Sequence, residues 1–465
     1  MKKKVIMGLL VVCMLLITAC SSTKSVDVNI LATTDLHGFL PYELTSYIKE
    51  EKSKNTILVD AGDFYDYGKC GSAMYKCFDL KGSYDNYDSS YLEVPIAKDM
   101  KEVGYDAVIL GNHEFIKSNK FQLDNMVSDF EKQDIDVLSA NTYKKNGENY
   151  VKPYVIKNIS TPEGDIKLGI LGLTIQEVGQ KYDTLKNGDI KPKSGGLRDF
   201  EGYDGTLYMG DLVENAKKWV KVMKKDKPDI IVAVVHSGEN DKETKHYGNN
   251  IQELAQEVDG IDAIVAGHTH KEFEQHNYKN KSGEKVIVTQ PGKYGECISK
   301  INFKFEKNNN KFNVIDKSSK ITKFEKSKED KNFEKLPNKF LDFCYKYKNS
   351  NKCPKEINLS DFTPFDWDKA YAFDTYTSPE KIYKTIGYKW QDIKKTESED
   401  MVQIVFMKNN KVVCNLYGYE FYLNSYFEFD KSEYKDNTIT IYPKKNDRFK
   451  INIDKLRPSL HLKHI

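Results

Sequence analysis

Between residues 28 and 292 the chain returns repeatedly to short apolar, β-branched runs: "VNILATT", "NTILVDAGD", "YDAVILGNHE", "DIDVLSAN", "IKLGILGLT", "PDIIVAVVHSG", "IDAIVAGHTH" and "EKVIVTQPG". Runs apolar on both faces predict strands buried in parallel sheet. Segments with a 3.6-residue apolar period separate several of them, most clearly "DLVENAKKWVKVMKK" and "NIQELAQEV". The alternation predicts an α/β layout. From about residue 317 to 358 the chain becomes lysine-rich, and "FEKLPNKFLDFCYKYK" has helical spacing. This predicts a connector or bridging helix. Beyond it the apolar period shortens to two in "DMVQIVFMKNNKVVCNLYGYEFYLNSYFEF" and "NTITIYPKK", which predicts antiparallel strands, the first two joined near "KNNK". "SPEKIYKTIG" predicts one short helix, with Ser378 as N-cap, Pro379 at its first position and Gly387 just past its end.

A chain of 465 residues exceeds one average domain, and two domains are expected. Lysine and arginine total 71 against 69 acidic residues, so no nucleic-acid polymer is expected as a partner. Arginine occurs only at Arg198, Arg448 and Arg457. This scarcity limits bidentate grips on phosphate. "MKKKVIMGLLVVCMLLITAC" has three lysines and an apolar core too short to span a bilayer, as in a signal peptide. Its end, "LITAC", resembles the lipobox of bacterial lipoproteins, which makes Cys20 the expected lipidation site. The chain is then expected at the cell membrane, lipid-anchored and facing away from the cytoplasm. Six further cysteines remain, of which the close pairs Cys70/Cys77 and Cys344/Cys353 could be disulfides or free thiols.

The strand-like runs end on a recurrent set of polar residues: Asp35 and His37, Asp63 in "AGD", Asn112 and His113 in "GNHE", His236 in "VVHSG", and His268 and His270 in "AGHTH". Five of the nine histidines lie there. The carboxyl ends of parallel strands are where open α/β sheets bind ligands. Imidazole, carboxylate and amide oxygen together suit divalent zinc, manganese or iron, and an aspartate such as Asp63 can bridge two ions. Two ions about 3.5–4 Å apart can polarise a phosphoryl group and activate water. Each motif alone is weak; five in this order are not.

This ordered set resembles the calcineurin-like metallophosphoesterases, and "ATTDLH", "VVHSG", "GIDAIVAGHTH" and "VTQPGKYG" look most like the exported 5′-nucleotidase and 2′,3′-cyclic-nucleotide phosphodiesterase/3′-nucleotidase branch. The resemblance implies a layered α-β-β-α sandwich over residues 27–316, after a signal peptide at 1–19 and a tether at 20–26. A connector at 317–358 and a small α+β domain at 359–465 complete the expected organisation. It also implies two divalent metal ions (Mn, Zn, Fe or Mg). Asp35, His37, Asp63 and His270 would hold one ion, and Asp63, Asn112, His236 and His268 the other. His113 would be the catalytic residue, stabilising the transition state or protonating the leaving oxygen. The implied activity is hydrolysis of small-molecule phosphoesters, nucleotides foremost.

Two departures stand out. The resemblance implies an aspartate or asparagine after "GNHEF" as partner to the catalytic histidine, where this chain has Ile116. The C-terminal part is also unlike a domain that clamps a base with aromatic rings and arginines. Its Phe365, Trp367, Tyr371, Phe373, Tyr376 and Trp390 could form a stacking face, but aromatics in a small domain ordinarily serve as core. An alternative function is therefore a surface binding lipoprotein that keeps the metal fold with little turnover.

Overall fold

A computed structural model describes residues 25–465 apart from 39, 66–94, 242, 244, 309–310, 351, 392, 397, 421–422 and 455–457. The signal peptide, Cys20, Cys70, Cys77 and Arg457 lie outside the described residues. The chain first lays down β1 (Ser25–Thr33), β2 (Thr56–Asp60), β3 (Ala107–Ile109) and β4 (Asp136–Leu138), parallel neighbours in that order. It then builds a second sheet from β5 (Tyr154–Thr161), β6 (Gly164–Thr174), β7 (Ile230–His236), β8 (Ala263–Ala266), β9 (Glu272–Lys279) and β10 (Lys285–Pro291). Strands β6, β7, β8 and β10 run parallel, and antiparallel β5 and β9 close the two edges. Finally β11 (Cys297–Asn308) and β12 (Lys311–Lys323) return to the first sheet, β11 pairing antiparallel with β1.

The reason for two-sided apolar strands is visible in the packing. Every residue of β7 is buried. Val28, Ile30, Val59 and Ile109 of the first sheet meet Leu168, Ile170, Val232 and Val265 of the second between the sheets. The opposite face of the first sheet is covered by α1 (Tyr42–Glu51), α2 (Pro95–Val103) and α4 (Lys120–Lys132), with the short α3 (Asn112–Ile116) at the strand mouths. The outer face of the second sheet buries Val213, Ala216 and Val220 of α5 (Leu212–Met223) and Ile251 and Leu254 of α6 (Ile251–Glu257). The result is the expected α-β-β-α sandwich.

The expected boundary after residue 316 falls inside β12, which pairs with β11 through Lys323. Lysines on its exposed positions gave it the composition of a connector. The helix expected to bridge instead belongs to the C-terminal domain: α7 (Lys328–Tyr347) buries Leu336, Phe340 and Cys344 in that domain's core. There β13 (Glu356–Asn358), β14 (Lys369–Phe373), β15 (Met401–Lys408), β16 (Lys411–Tyr419), β17 (Ser425–Glu428), β18 (Thr438–Ile441), β19 (Arg448–Asp454) and β20 (Ser459–His464) form two four-stranded sheets. Strands β15 and β16 join at Asn409 and Asn410, as expected from "KNNK". Helix α8 (Pro379–Ile386) starts on the Ser378 side chain, which accepts from Lys381 N, and stops at Gly387 with φ +95°.

Cys344 and Cys353 are both free thiols. Cys344 is committed to the apolar face of α7, and the Cys353 Sγ points to the Pro354 carbonyl.

Candidate metal centre

Five of the eight polar residues singled out at the strand ends adopt left-handed backbone: Asp35 (φ +51°), His37 (+48°), Asp63 (+55°), His268 (+70°) and His270 (+57°). Residues other than glycine, asparagine and aspartate take this region at a cost, so surrounding bonds must hold the three histidines there. The loops after β1 and β2 are laced together: Asp35 N–H donates to the Gly62 carbonyl at 2.9 Å and His37 N–H to the Asp63 carbonyl at 2.8 Å. Gly62 itself turns at φ +96°, as a glycine at a strand end should. Gly111 serves differently. Its backbone lies so close to Asp63 that an added Cβ would sit 2.3 Å from the Asp63 Oδ1.

One group of side chains gathers Asp35, His37 and His270, a second Asp63, His236 and His268, and a third His37, Asp63 and His113. Within each, the ligand atoms lie within 4.8 Å of one another. His37 Nε2 and His270 Nε2 stand 3.0 Å apart, and His270 Nε2 is 3.4 Å from the Asp35 Oδ1. That oxygen is buried with no hydrogen-bond partner among the described residues. Two imidazole nitrogens and a carboxylate oxygen brought this close are a donor set that a divalent cation could share. The Asp35 Oδ2 is held by the Thr34 hydroxyl at 2.7 Å and His268 N–H at 3.0 Å.

In the second group His236 bonds through Nδ1 to the Ala61 carbonyl at 2.8 Å, which makes Nδ1 the donor and directs Nε2 inward. Nε2 then faces Asn112 Oδ1 at 3.0 Å and Asp63 Oδ2 at 3.2 Å. Asn112 Oδ1 also bonds His268 Nδ1 at 2.9 Å. A neutral His236 would present a lone pair to two other acceptors, so the cluster needs a positive charge at its centre. Without metal a proton fills that need: burial alone would lower His236, but the Asp63 carboxylate overrides it and raises the ring to about 10. Burial and the neighbouring His236 charge push His268 down to about 4. Asp63, despite burial, is held below the ordinary carboxylate range by His236 and His113. The donor set and its unmet charge both fit divalent cations, with Asp35, His37 and His270 around one and Asp63, Asn112, His236 and His268 around the other.

His113 is part-exposed, with Nε2 3.8 Å from the Asp63 Oδ2 and its ring edge-on to His37 at 4.6 Å. The third group shows that its nitrogen also reaches the ligand cluster. Ile116, in place of the polar partner that the resemblance implies, packs against the apolar core.

Sequence reading missed Glu114. It is fully buried, and its carboxyl accepts from Asp63 N at 3.0 Å, Tyr65 N at 2.9 Å and Gly111 N at 2.6 Å, tying the β2 loop to α3. The signal was present: a glutamate three residues after Gly111 is the acidic half of a capping box. Tyr294 was also missed. Its N–H donates to the Asp35 carbonyl at 2.9 Å, and its ring tilts against His37 at 5.3 Å.

Comparison with known proteins places this geometry in a family. The calcineurin-like phosphoesterase profile matches residues 28–272. The chain is 27% identical over 332 residues to the trifunctional nucleotide phosphoesterase protein YfkN of Bacillus subtilis, an alignment covering 65% of this chain and 21% of that protein. It is 25% identical over 330 residues to a 2′,3′-cyclic-nucleotide 2′-phosphodiesterase/3′-nucleotidase of Yersinia enterocolitica, covering 65% of this chain and 46% of that one. The chain thus spans less than half the length of these curated relatives. A crystal structure of the YfkN calcineurin-like phosphoesterase superposes with TM-score 0.51 at 26% identity, over 64% of this chain and 91% of that one. The matched residues contain all eight strand-end residues, and the chain belongs to the calcineurin-like phosphoesterase family.

Proposed function

We propose that this chain hydrolyses phosphate esters of nucleotides with two divalent ions bound at the paired strand-end clusters. The observation that carries the reading is the convergence of Asp35/His37/His270 and Asp63/His236/His268 at one mouth, with Asp63 common to two of the three groups. These residues would hold divalent ions, which when bound would supply Lewis-acid polarisation of a phosphoryl group and activation of water. The chain's own residues do the rest. Ala61 and Glu114 fix the orientation of His236 and Asp63. His113, part-exposed beside Asp63, meets the phosphoryl or leaving-group oxygen as a hydrogen-bond or proton donor. The names of the relatives support nucleotides as the substrate class, in 5′-, 3′- or 2′,3′-cyclic form.

The test is turnover of p-nitrophenyl phosphate, its bis ester and a panel of nucleotides, with added Mn²⁺ and after chelation. Metal-dependent release of phosphate or nitrophenol is expected. Absence of turnover on all of them would leave the binding-protein reading, to which the apolar Ile116 after "GNHEF" lends support.

We also propose, on the lipobox-like "LITAC", that a lipid attached to Cys20 holds the chain outside the cytoplasm. Among the described residues no helix is long and apolar enough to cross a membrane. Cys20→Ser is expected to release the protein into the medium or leave it as precursor. A mature-sized variant still in the membrane fraction refutes lipidation at Cys20.

A further inference from the structure

A cavity of about 1070 Å³ opens directly from the metal centre, with Asn112 and His268 on its inner rim. Its volume is at the upper end of small-molecule pockets. Away from the metal the lining is mixed: Ile116, Ile175, Val178 and Phe200 give an apolar surface, Lys117, Lys181 and Asp199 add charge, and Tyr182 is 43% exposed. The outer wall is an antiparallel hairpin, Gln180–Thr184 paired with Ile190–Gly195. It is stapled to the segment carrying His246, since Ile190 N–H donates to the Lys245 carbonyl at 2.8 Å and Tyr247 N–H to the Ile190 carbonyl at 3.0 Å.

His246 faces the cavity with its ring centroid 6.4 Å from His268 and 5.2 Å from Tyr182. Gly248 N–H donates to its Nδ1 at 3.2 Å, which puts the proton of the neutral ring on Nε2. Burial holds its pKa below the ordinary histidine value, so the ring is neutral at physiological pH. Glu177 stands behind it. Glu177 is 2% exposed, and its Oε2 lies 3.3 Å from His246 Nδ1. Burial raises the carboxyl to about 7, and a hydrogen bond with Tyr182 opposes that rise. An added Cβ at Gly248 would meet Oε2 at 2.2 Å, so glycine is what lets the two segments close on each other.

The C-terminal aromatics are spent elsewhere. Phe365, Trp367, Tyr371, Phe373 and Trp390 pack in the two cores of that domain, and of the six only Tyr376 is exposed.

We propose that this cavity receives the organic leaving group of the phosphoester, a ring-bearing alcohol of nucleoside size, between Tyr182 and Phe200, with His246 Nε2–H as its hydrogen-bond donor. Glu177 is a positioning residue for that imidazole. Ile116 is then the apolar floor of a leaving-group pocket. The inference rests on the phosphoester reading above and adds where substrate selectivity resides.

The test compares kcat/KM for adenosine 5′- and 3′-monophosphates with that for methyl phosphate, whose leaving group is too small to reach the cavity. In the full-length chain, Tyr182→Ala and His246→Gln should each lower the nucleotide-to-methyl ratio at least about tenfold, chiefly through KM. A ratio is insensitive to the fraction of variant that folds. Glu177→Ala should lower it likewise, and Glu177→Gln, whose amide can donate to Nδ1, should restore it. An unchanged ratio in an active enzyme overturns the pocket assignment. If the wild type hydrolyses nothing, the phosphoester reading fails, and calorimetry with adenosine judges the pocket alone. Binding lost in Tyr182→Ala and His246→Gln supports it; no binding to the wild type, or undiminished binding to both variants, overturns it.

Discussion

The sandwich and the C-terminal domain both use left-handed backbone, but on different residues. In the C-terminal domain asparagine and aspartate take five of the eight described non-glycine positions, Asn409, Asn410, Asn424, Asp436 and Asn437. These are residues whose short polar side chains tolerate that conformation in turns. At the candidate metal centre the same region is taken by Asp35, Asp63 and three histidines, in loops cross-tied by backbone bonds. Each such histidine costs about 1–3 kcal/mol of backbone strain. In one region the side chain serves the backbone. In the other the backbone is bent to aim the side chain.

The sharpest way to break that contrast is Asp63→Asn. Asparagine tolerates φ +55° at least as well as aspartate, so the backbone gains if anything, yet the negative charge disappears. Activity should fall beyond the roughly 10–100-fold loss typical of an outer-shell partner, with loss of bound metal by elemental analysis. Full metal content with low activity would contradict the ligand role. His113→Ala is next. Its backbone is not left-handed, and its side chain is assigned to substrate, so kcat should drop about 10²–10⁴-fold while metal content stays near that of the wild type. Metal loss as complete as in Asp63→Asn would make His113 a ligand.

The next effect belongs to the C-terminal domain and is read by pH. Burial raises Glu420 from 4.5 to about 7, so the folded chain holds this proton more tightly than the unfolded one. The stability it contributes is complete below about pH 4.5 and is lost as pH rises through about 7. Glu420→Gln should flatten that decline in urea melts between pH 5 and 8, and an unaltered slope would count against it. The smallest effect is Asn410→Gly, whose side chain meets only the exposed Lys369 ammonium. It should move stability by no more than about 0.5 kcal/mol. Asn410→Val, β-branched at φ +58°, should cost about 1–2 kcal/mol by the same melts.

The strands and the polar residues at their ends were legible because each motif combines a two-sided apolar run with a residue type that has no place in a sheet interior. Glu114 was not, because its role depends on three backbone amides from separate segments, and a glutamate in the first turn of a helix looks like ordinary capping. Strand β12 escaped notice because only Phe312 and Ser319 of its thirteen residues are buried, leaving the composition of a linker. Helix α7 was visible as a helix, but which domain its apolar stripe would face depends on tertiary partners. The proposed leaving-group cavity was invisible for a similar reason: the Gln180–Gly195 hairpin and His246, far apart in sequence, meet through strand-edge bonds and the Tyr182–His246 ring contact.

The return of β11 to pair with β1, Ser25 opposite Glu306, has a consequence for the order of folding. The first sheet cannot be finished until the second has been synthesised, so its closing contacts span almost three hundred residues. Such long loops slow folding, and until they close β1 is an unpaired edge open to other chains. A chain truncated before Cys297 would keep every proposed metal ligand and still lack that partner strand. Refolding of the full sandwich should therefore be limited by the arrival of the β11–β12 hairpin, the last piece made and the one that seals the oldest strand.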